Sequence, residues 1–299
     1  METLLNFIAE RERIRCRKEA GEPWPWTEDR ILQTWSFTNI RREDDRVTRW
    51  ITDNWREPNA NDPDLWFAMA VARYVNWPDS LAALGYPFPW NREFFITALL
   101  RRAARIETVW GPAYNIPNAG KSTPKAQHIA DVLDNLWQAR NTLRPKADEG
   151  LAAYHARLAQ KYCVGSFYAG QIIADLKFVE PLKSATDWWT FAPSGPGSRR
   201  GLNRFLGRQV NANWAEWSWR REFRILHESI APELGRIGIG NLAGHNLQNC
   251  LCEFDKYMRV KSGEGKPKRR YVPRGSRSGP QPPLSQASIF DFLEPQPAE

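Results

Sequence analysis

The chain is poor in the residues that hold metals. Four cysteines and four histidines occur among 299 residues. Cys16, Cys163, Cys250 and Cys252 form no C-x-x-C pair, and the histidines stand singly. A zinc site is therefore not expected, and a reduced intracellular compartment fits. No apolar run approaches the roughly 18 uncharged residues a membrane helix needs. The opening METLLNFIAERERIRCRKEA is too charged for a signal peptide. Membrane and secreted classes are disfavoured, and a cytoplasmic location is expected. What remains is ample: 42% hydrophobic residues, enough to bury a core in one large domain or two ordinary ones.

The net charge of +8 is unevenly placed. Between residues 256 and 280 nine Lys/Arg face one acid, Glu264, so this strip alone carries +8. The last nineteen residues are −3, which leaves about +3 for residues 1–255. A nearly balanced body followed by a basic strip suggests a polyanion partner, because each cation that neutralises a phosphate releases counterions. A merely solvated tail reads the same way. Residues 256–299 hold seven Pro and four Gly, so 263–299 is expected to be a disordered, basic, Pro-rich tail after a domain spanning 1–262.

That domain reads as all-α. Helical spacing predicts helices over 2–20, 42–55, 64–75, 92–105, 125–140, 148–158 (capped by Asp148), 215–230 and 241–257. A short strand near 108–116 is the one β element considered. Fifteen Trp, all between Trp24 and Trp219, are expected mainly as core anchors, with a minority left to stack on a base.

Four constellations carry chemistry. The first is K-Y-C-V-G-S-F-Y-A-G-Q-I-I-A-D-L, residues 161–176: a helix ends at a turn containing Gly165, and a second helix follows with Ala169, Ile172, Ile173 and Leu176 as its apolar stripe. This reads as a helix–hairpin–helix, in which Val164, Gly165 and Ser166 would aim backbone N–H groups at a DNA phosphate. An ordinary helix corner uses glycine similarly. The second is Asp187, 22 residues after Gly165, with Trp188 and Trp189. Helix–hairpin–helix DNA glycosylases resemble this layout of hairpin, helix and loop-borne Asp, and they hold a flipped base among aromatics. The lysine of their lyase members is absent. Asp187 as a simple helix cap is the alternative.

The third is S-G-P-G-S-R-R-G, residues 194–201. Gly195, Gly197 and Ser198 with Arg199 and Arg200 suit a phosphate anion, with a helix expected to begin near Gly201. A flexible surface loop is the alternative. The fourth is N-I-R-R-E-D-D-R, residues 39–46, where Arg42, Asp45 and Arg49 would share one helical face and hold an ion or a substrate amine. An internal salt-bridge network reads equally well. In the late helix, Gln248, Cys252 and Asp255 share a side and suggest a site wall, or a packed helix with a polar edge. N-I-P-N-A-G-K-S at 115–122 ends like a phosphate loop but lacks its first glycine, and is not read as an ATP site.

The strings RERIRCRKEAG, SFTNIRREDDRVTRWI, DLWFAMAVARYVNWP, GSFYAGQIIADLK, DWWTFAPSGPGSRRGLNR and NLQNCLCEFDKY resemble the alpha-glutamyl/putrescinyl thymine pyrophosphorylase family of phage amino acid:DNA transferases. That family is also described as the helical domain associated with hydroxymethyluracil DNA kinases. The resemblance covers about residues 3–272 and implies a helix–hairpin–helix, DNA glycosylase-like helical fold. It implies that an amino acid (glycine, serine or a similar amine) displaces pyrophosphate from 5-pyrophosphoryloxymethyl-deoxyuridine in DNA, in a thymidine hypermodification that evades host restriction.

In that reading Asp187, Arg199 and Arg200 are catalytic. Trp188, Trp189, Gly195, Gly197, Ser198, Arg42, Asp45, Gln248 and Asp255 bind substrate, and Val164, Gly165, Ser166, Lys268, Arg269 and Arg270 bind DNA. No cofactor is expected; pyrophosphate attracts divalent metal, yet no ligand set stands out. The kinase is an expected partner. The other readings are a glycosylase excising a modified base and a non-catalytic DNA-binding partner of the kinase. In the tail, Gln286, Ile289, Phe290, Phe292 and Leu293 resemble a sliding-clamp-binding peptide, which would tether the enzyme to replicating DNA.

Overall fold

Apolar residues spaced three and four apart become helices throughout the computed structural model, which describes residues 1–112, 123–267 and 269–272. The string at 115–122, Lys268 and the clamp-like segment at 286–293 lie outside the described residues. The fold is all-α: among the described residues the β content is one isolated bridge between Trp35 and Arg270. The helices are α1 (Glu2–Glu19), α2 (Arg30–Thr34), α3 (Arg46–Ile51), α4 (Leu65–Val75), α5 (Pro78–Leu84), α6 (Arg92–Ala104), α7 (Lys125–Gln138), α8 (Arg140–Leu143), α9 (Leu151–Ala159), α10 (Gly165–Leu176), α11 (Pro196–Phe205), α12 (Glu216–Arg236) and α13 (Gly244–Lys261). They group into two units, one of Met1–Thr48 with Thr186–Ser276, the other built on Arg49–Ala185.

The first unit is organised by three stripes. Leu4, Phe7, Ile8 and Ile14 of α1, Trp219, Phe223, Leu226, Ile230 and Leu234 of α12, and Leu247, Leu251 and Phe254 of α13 form one buried cluster. Arg11 lies on the same face of α1 as this stripe and is buried as well. Its guanidinium donates from Nη2 to the carbonyls of Phe37 at 3.1 Å and Thr38 at 2.9 Å, so backbone oxygens meet part of its hydrogen-bonding need. After α13 the chain returns along α2: Tyr271 N–H donates to the Thr34 carbonyl at 2.8 Å, and Ser36 N–H to that of Arg269 at 3.2 Å.

The second unit is centred on α4, every residue of which is buried. The stripe expected at Leu65, Trp66, Met69 and Ala72 is thus only part of its buried surface. Tyr74 stacks on Tyr168 of α10 at 4.1 Å. Arg73 meets Asp175 of α10 bidentately, Nε to Oδ2 at 2.6 Å and Nη2 to Oδ1, with both side chains at most 2% exposed.

Several sequence expectations change for local reasons. The helix expected over 42–55 breaks at Asp45, whose carboxylate accepts the Asn39 N–H at 3.0 Å and closes a turn. Arg42–Asp44 is 3-10, and Thr52–Arg56 is a π-turn following α3. Asp148 is no cap; it adopts a left-handed φ of 59°, and Gly150 precedes α9. α12 runs through Pro232 to Arg236 because Leu234 continues the buried stripe, which outweighs the roughly 3 kcal/mol an internal proline costs. Residues 108–112 form no strand. The short helices α2 and α5 were not anticipated.

Removing one partner of the Arg73–Asp175 pair strands a buried charge. Arg73→Ala should lose about 3–5 kcal/mol of unfolding free energy by urea titration. Replacing both, Arg73→Met with Asp175→Leu, should recover most of that loss.

Candidate functional site

The turn after the second unit carries the predicted base-facing residues. The Asp187 carbonyl accepts N–H groups from Thr190 at 3.1 Å and Phe191 at 2.8 Å. The Trp188 and Trp189 rings meet edge-on at 4.9 Å, and Trp189 is 54% exposed. Gly244, the first residue of α13, fixes this turn. Its N–H donates to the Trp189 carbonyl at 2.7 Å, and a β-carbon there would sit 2.8 Å from the carbonyl oxygens of Thr190 and Phe191.

The Gly-Ser-Arg segment is a helix start. α11 begins at Pro196, five residues earlier than expected, because Ser198 caps it: its Oγ accepts the Gly195 N–H at 3.0 Å and donates back to the Gly195 carbonyl at 3.1 Å. Two of the three glycines serve packing rather than an open anion cradle. A β-carbon on Gly197 would lie 3.2 Å from Cys252 Sγ, and one on Gly201 would overlap the Leu251 carbonyl oxygen. They stand one helical turn apart and let α11 lie directly on α13. Gln248 Nε2 approaches Cys252 Sγ at 3.4 Å, and burial pushes the Cys252 thiol up to about 12, which leaves it unreactive.

The arginine pair divides into two roles. Arg199 donates to the Trp214 carbonyl at 3.0 Å, to Glu216 Oε2 at 2.7 Å and to Ser194 Oγ at 3.0 Å, tying the segment to the start of α12. Arg200 Nε donates to Asp255 Oδ2 at 2.8 Å, while Arg204 Nε holds the other oxygen at 2.9 Å. Asp255 is buried, so its expected substrate role is occupied by two guanidinium groups. The structure thus brings Gly197, Ser198, Arg200, Gln248 and Asp255 together at the α11–α13 contact.

Arg42 and Asp45 sit at the opposite end of α13 from Asp255. The Arg42 N–H donates to Asn246 Oδ1 at 3.1 Å. Beside it lies a group that no sequence signal marked: Glu43 Oε1 is 3.3 Å from His245 Nε2, and Glu43 Oε2 accepts from Asn246 Nδ2 at 3.0 Å. Burial alone would raise the Glu43 carboxyl. The nearby His245 ring and the hydrogen bond from Asn246 outweigh it and lower it to about 2. Glu43 stood in an acid triplet and His245 two hundred residues away, so only the fold pairs them.

In the second unit, α9 and α10 are joined by a tight turn with Cys163 at φ 57° and Gly165 at φ 58°. Tyr74 Oη donates to the Cys163 carbonyl at 2.9 Å, and His155 Nε2 pairs with the Ser166 carbonyl at 2.9 Å, bracing the turn from two helices. Ala169, Ile172, Ile173 and Leu176 are buried, as the stripe predicted. Gly165 and Ser166 are exposed at the start of α10. Val164 is not available as a phosphate donor: its side chain is buried and its N–H donates to the Lys161 carbonyl at 3.1 Å. Arg269 and Arg270 belong to the first unit, with Arg270 Cζ 5.7 Å from the Trp35 ring.

Among the described residues no group of three or more His, Cys, Asp or Glu is placed to hold a metal ion. No helix among them is long and apolar enough to cross a membrane.

Two predictions follow from these contacts. Gly201→Ala should destabilise the chain by several kcal/mol, on the order of 3 or more, because backbone must move to admit one methyl; thermal melts read this directly. Glu43 has a folded pKa below its ordinary 4.5, so the stability it contributes is present above that pH and is lost as pH falls toward 2. Glu43→Gln should therefore be less stable than the parent at neutral pH, with the gap closing on acidification. A gap that stays constant in denaturant titrations from neutral to about pH 2.5 would dismiss the pair as a stabilising contact.

Comparison with known proteins places these features in a family. No solved structure matches the chain. A "5-hmdU DNA kinase" of Bacillus phage SP10 is 29% identical over 288 residues, covering 84% of this chain and 44% of that protein. The chain therefore spans less than half the length of this relative. The model of the 5-hmdU DNA kinase helical domain matches residues 1–267, and the chain belongs to that family.

Proposed function

We propose that the chain acts on hydroxymethyluracil-derived DNA, transferring a small amine onto 5-pyrophosphoryloxymethyl-deoxyuridine with release of pyrophosphate. The observation that carries the reading is the family match over residues 1–267, a family named for the kinase of the same modified base. The chemistry is a displacement at the exocyclic methylene. The C–O bond to pyrophosphate breaks, a C–N bond to the amine forms, and one proton leaves the nitrogen.

Each unit supplies part of what such a step requires. In the second, exposed Gly165 and Ser166 open the twelve-residue α10, a backbone N-terminus suited to a DNA phosphate without sequence preference. In the first, Trp188 and Trp189 offer a face for an everted pyrimidine, and Asp187 on the same turn takes the proton from the amine. Arg200 receives the leaving pyrophosphate. It is about one-third exposed, and Arg204 keeps Asp255 paired if Arg200 swings away. Arg199 instead positions the segment, since it is spent on Glu216, Ser194 and the Trp214 carbonyl.

A second reading, a DNA-binding partner of a separate kinase, is favoured by one observation: both arginines already hold carboxylates.

The test is nucleoside mass spectrometry after incubating the chain with pyrophosphorylated DNA and a pool of amino acids. A heavier thymidine-derived nucleoside supports transfer; an abasic site supports a glycosylase; unchanged DNA with retained DNA affinity supports the partner reading. Arg200→Gln should lower transfer by about 100-fold, the usual loss for one charge-stabilising donor, while leaving plain-DNA affinity and melting temperature near the parent's. Equal loss of both would remove Arg200 from the leaving-group role.

A further inference from the structure

The first unit carries a second feature that none of this chemistry uses. A cleft of about 70 Å³ opens between α1, α2 and the returning segment 269–272, with Trp24, Trp26, Trp35, Phe37 and Tyr271 in its walls. Trp26 and Phe37 pack against the hydrophobic core of the unit, yet all five rings keep part of their surface open. Trp24 is 46% exposed, and Trp26, Trp35, Phe37 and Tyr271 are each partly exposed. The Trp26 and Tyr271 rings meet edge-on at 5.9 Å. The cleft is smaller than the ~150 Å³ cavity that takes up a whole benzene. It therefore admits the edge of a flat ring whose face lies along a tryptophan.

Cations are interleaved with these rings. Lys18 Nζ lies 5.8 Å from the Trp26 ring and 5.9 Å from that of Tyr271. Arg270 Cζ lies 5.7 Å from the Trp35 ring, and Arg11 Cζ 5.7 Å from that of Phe37. Arg11 is fixed by backbone carbonyls and Arg15 by Glu12 and Glu19, so these two build the floor. Lys18 and Arg270 are exposed at the rim, and the basic strip reaches the cleft through Arg269 and Arg270. Gln33, also in the lining, spends its amide nitrogen on the Thr27 carbonyl at 2.6 Å, which leaves that amide an acceptor oxygen.

A flat ring flanked by anions satisfies both halves of this surface. Duplex DNA offers the anions but keeps its ring faces stacked; an unpaired strand offers both. We propose that this cleft is a stacking site for an unpaired base of single-stranded nucleic acid, with Lys18 and Arg270 on the flanking phosphates. The site stands on the geometry of the first unit alone and holds or fails whether or not the chain transfers an amine.

The test uses the full chain and fluorescein-labelled oligothymidylate of about 15 nucleotides, with heparin and blunt duplex DNA as controls. Oligothymidylate should quench the tryptophan fluorescence of the parent. Trp24→Ala and Tyr271→Ala should each weaken its binding by about 5- to 150-fold, the range for loss of one base–aromatic stack. Trp24→Phe, which keeps a ring at an exposed position, should stay within about twofold of the parent. Lys18→Gln should reduce the slope of log affinity against log salt by about 0.7. Heparin, a polyanion without bases, should bind Trp24→Ala as it binds the parent. The proposal is overturned if Trp24→Ala binds oligothymidylate like the parent. It is equally overturned if heparin, duplex and oligothymidylate all weaken by the same factor.

Discussion

Residue 201 has to be glycine because the Leu251 carbonyl oxygen fills the space a β-carbon would take, and much of the first unit follows from that one approach. With Gly197 one turn earlier against Cys252, it brings the axis of α11 close to that of α13. At this spacing Arg200 and Arg204 of α11 both reach Asp255 of α13, and a buried carboxylate is neutralised by two cations rather than left stranded. The same approach sets Gly195 near Gln248 and Ser198 near Cys252, so polar residues of two helices share one edge. A bulkier residue at either glycine would separate the helices and take the arginine–aspartate contacts with them.

Chemistry on a DNA base asks for two unlike surfaces, one that holds the backbone irrespective of sequence and one that holds the base. In the proposed reading the first is the start of α10, whose turn is braced by Tyr74 and His155, and the second is a set of aromatic rings kept partly outside the core. The fifteen tryptophans divide between core and surface. Trp66 and Trp219 are fully buried, whereas Trp24, Trp189 and Trp217 stay exposed, and only the fold sorts them.

The helices with a long apolar stripe were legible in the sequence: α1, α4, α6, α7, α10 and α13 lie within a few residues of their expected bounds. What the pattern could not supply was the partner of each polar residue. Asp45 looked like a helix-opening acid and instead terminates a turn by accepting from Asn39. The three glycines at 195–201 suited an anion cradle ahead of a helix near Gly201, because close helix packing and backbone exposure draw on the same residue type. Arg199 and Arg200 were adjacent and equivalent as text, yet successive helical positions point about 100° apart and find different carboxylates. Glu43 and His245 had no pattern to join them at all. Local periodicity reports which face is buried; it carries nothing about which side chain waits on that face.

The turn at residues 187–191 meets Gly244 at its carbonyls: the Gly244 N–H donates to that of Trp189, and those of Thr190 and Phe191 leave no room for a β-carbon. A side chain at 244 would push the main chain of this turn aside, whichever residues the turn carries. One constraint on the path of this loop thus sits on α13, far along the chain from the loop it shapes.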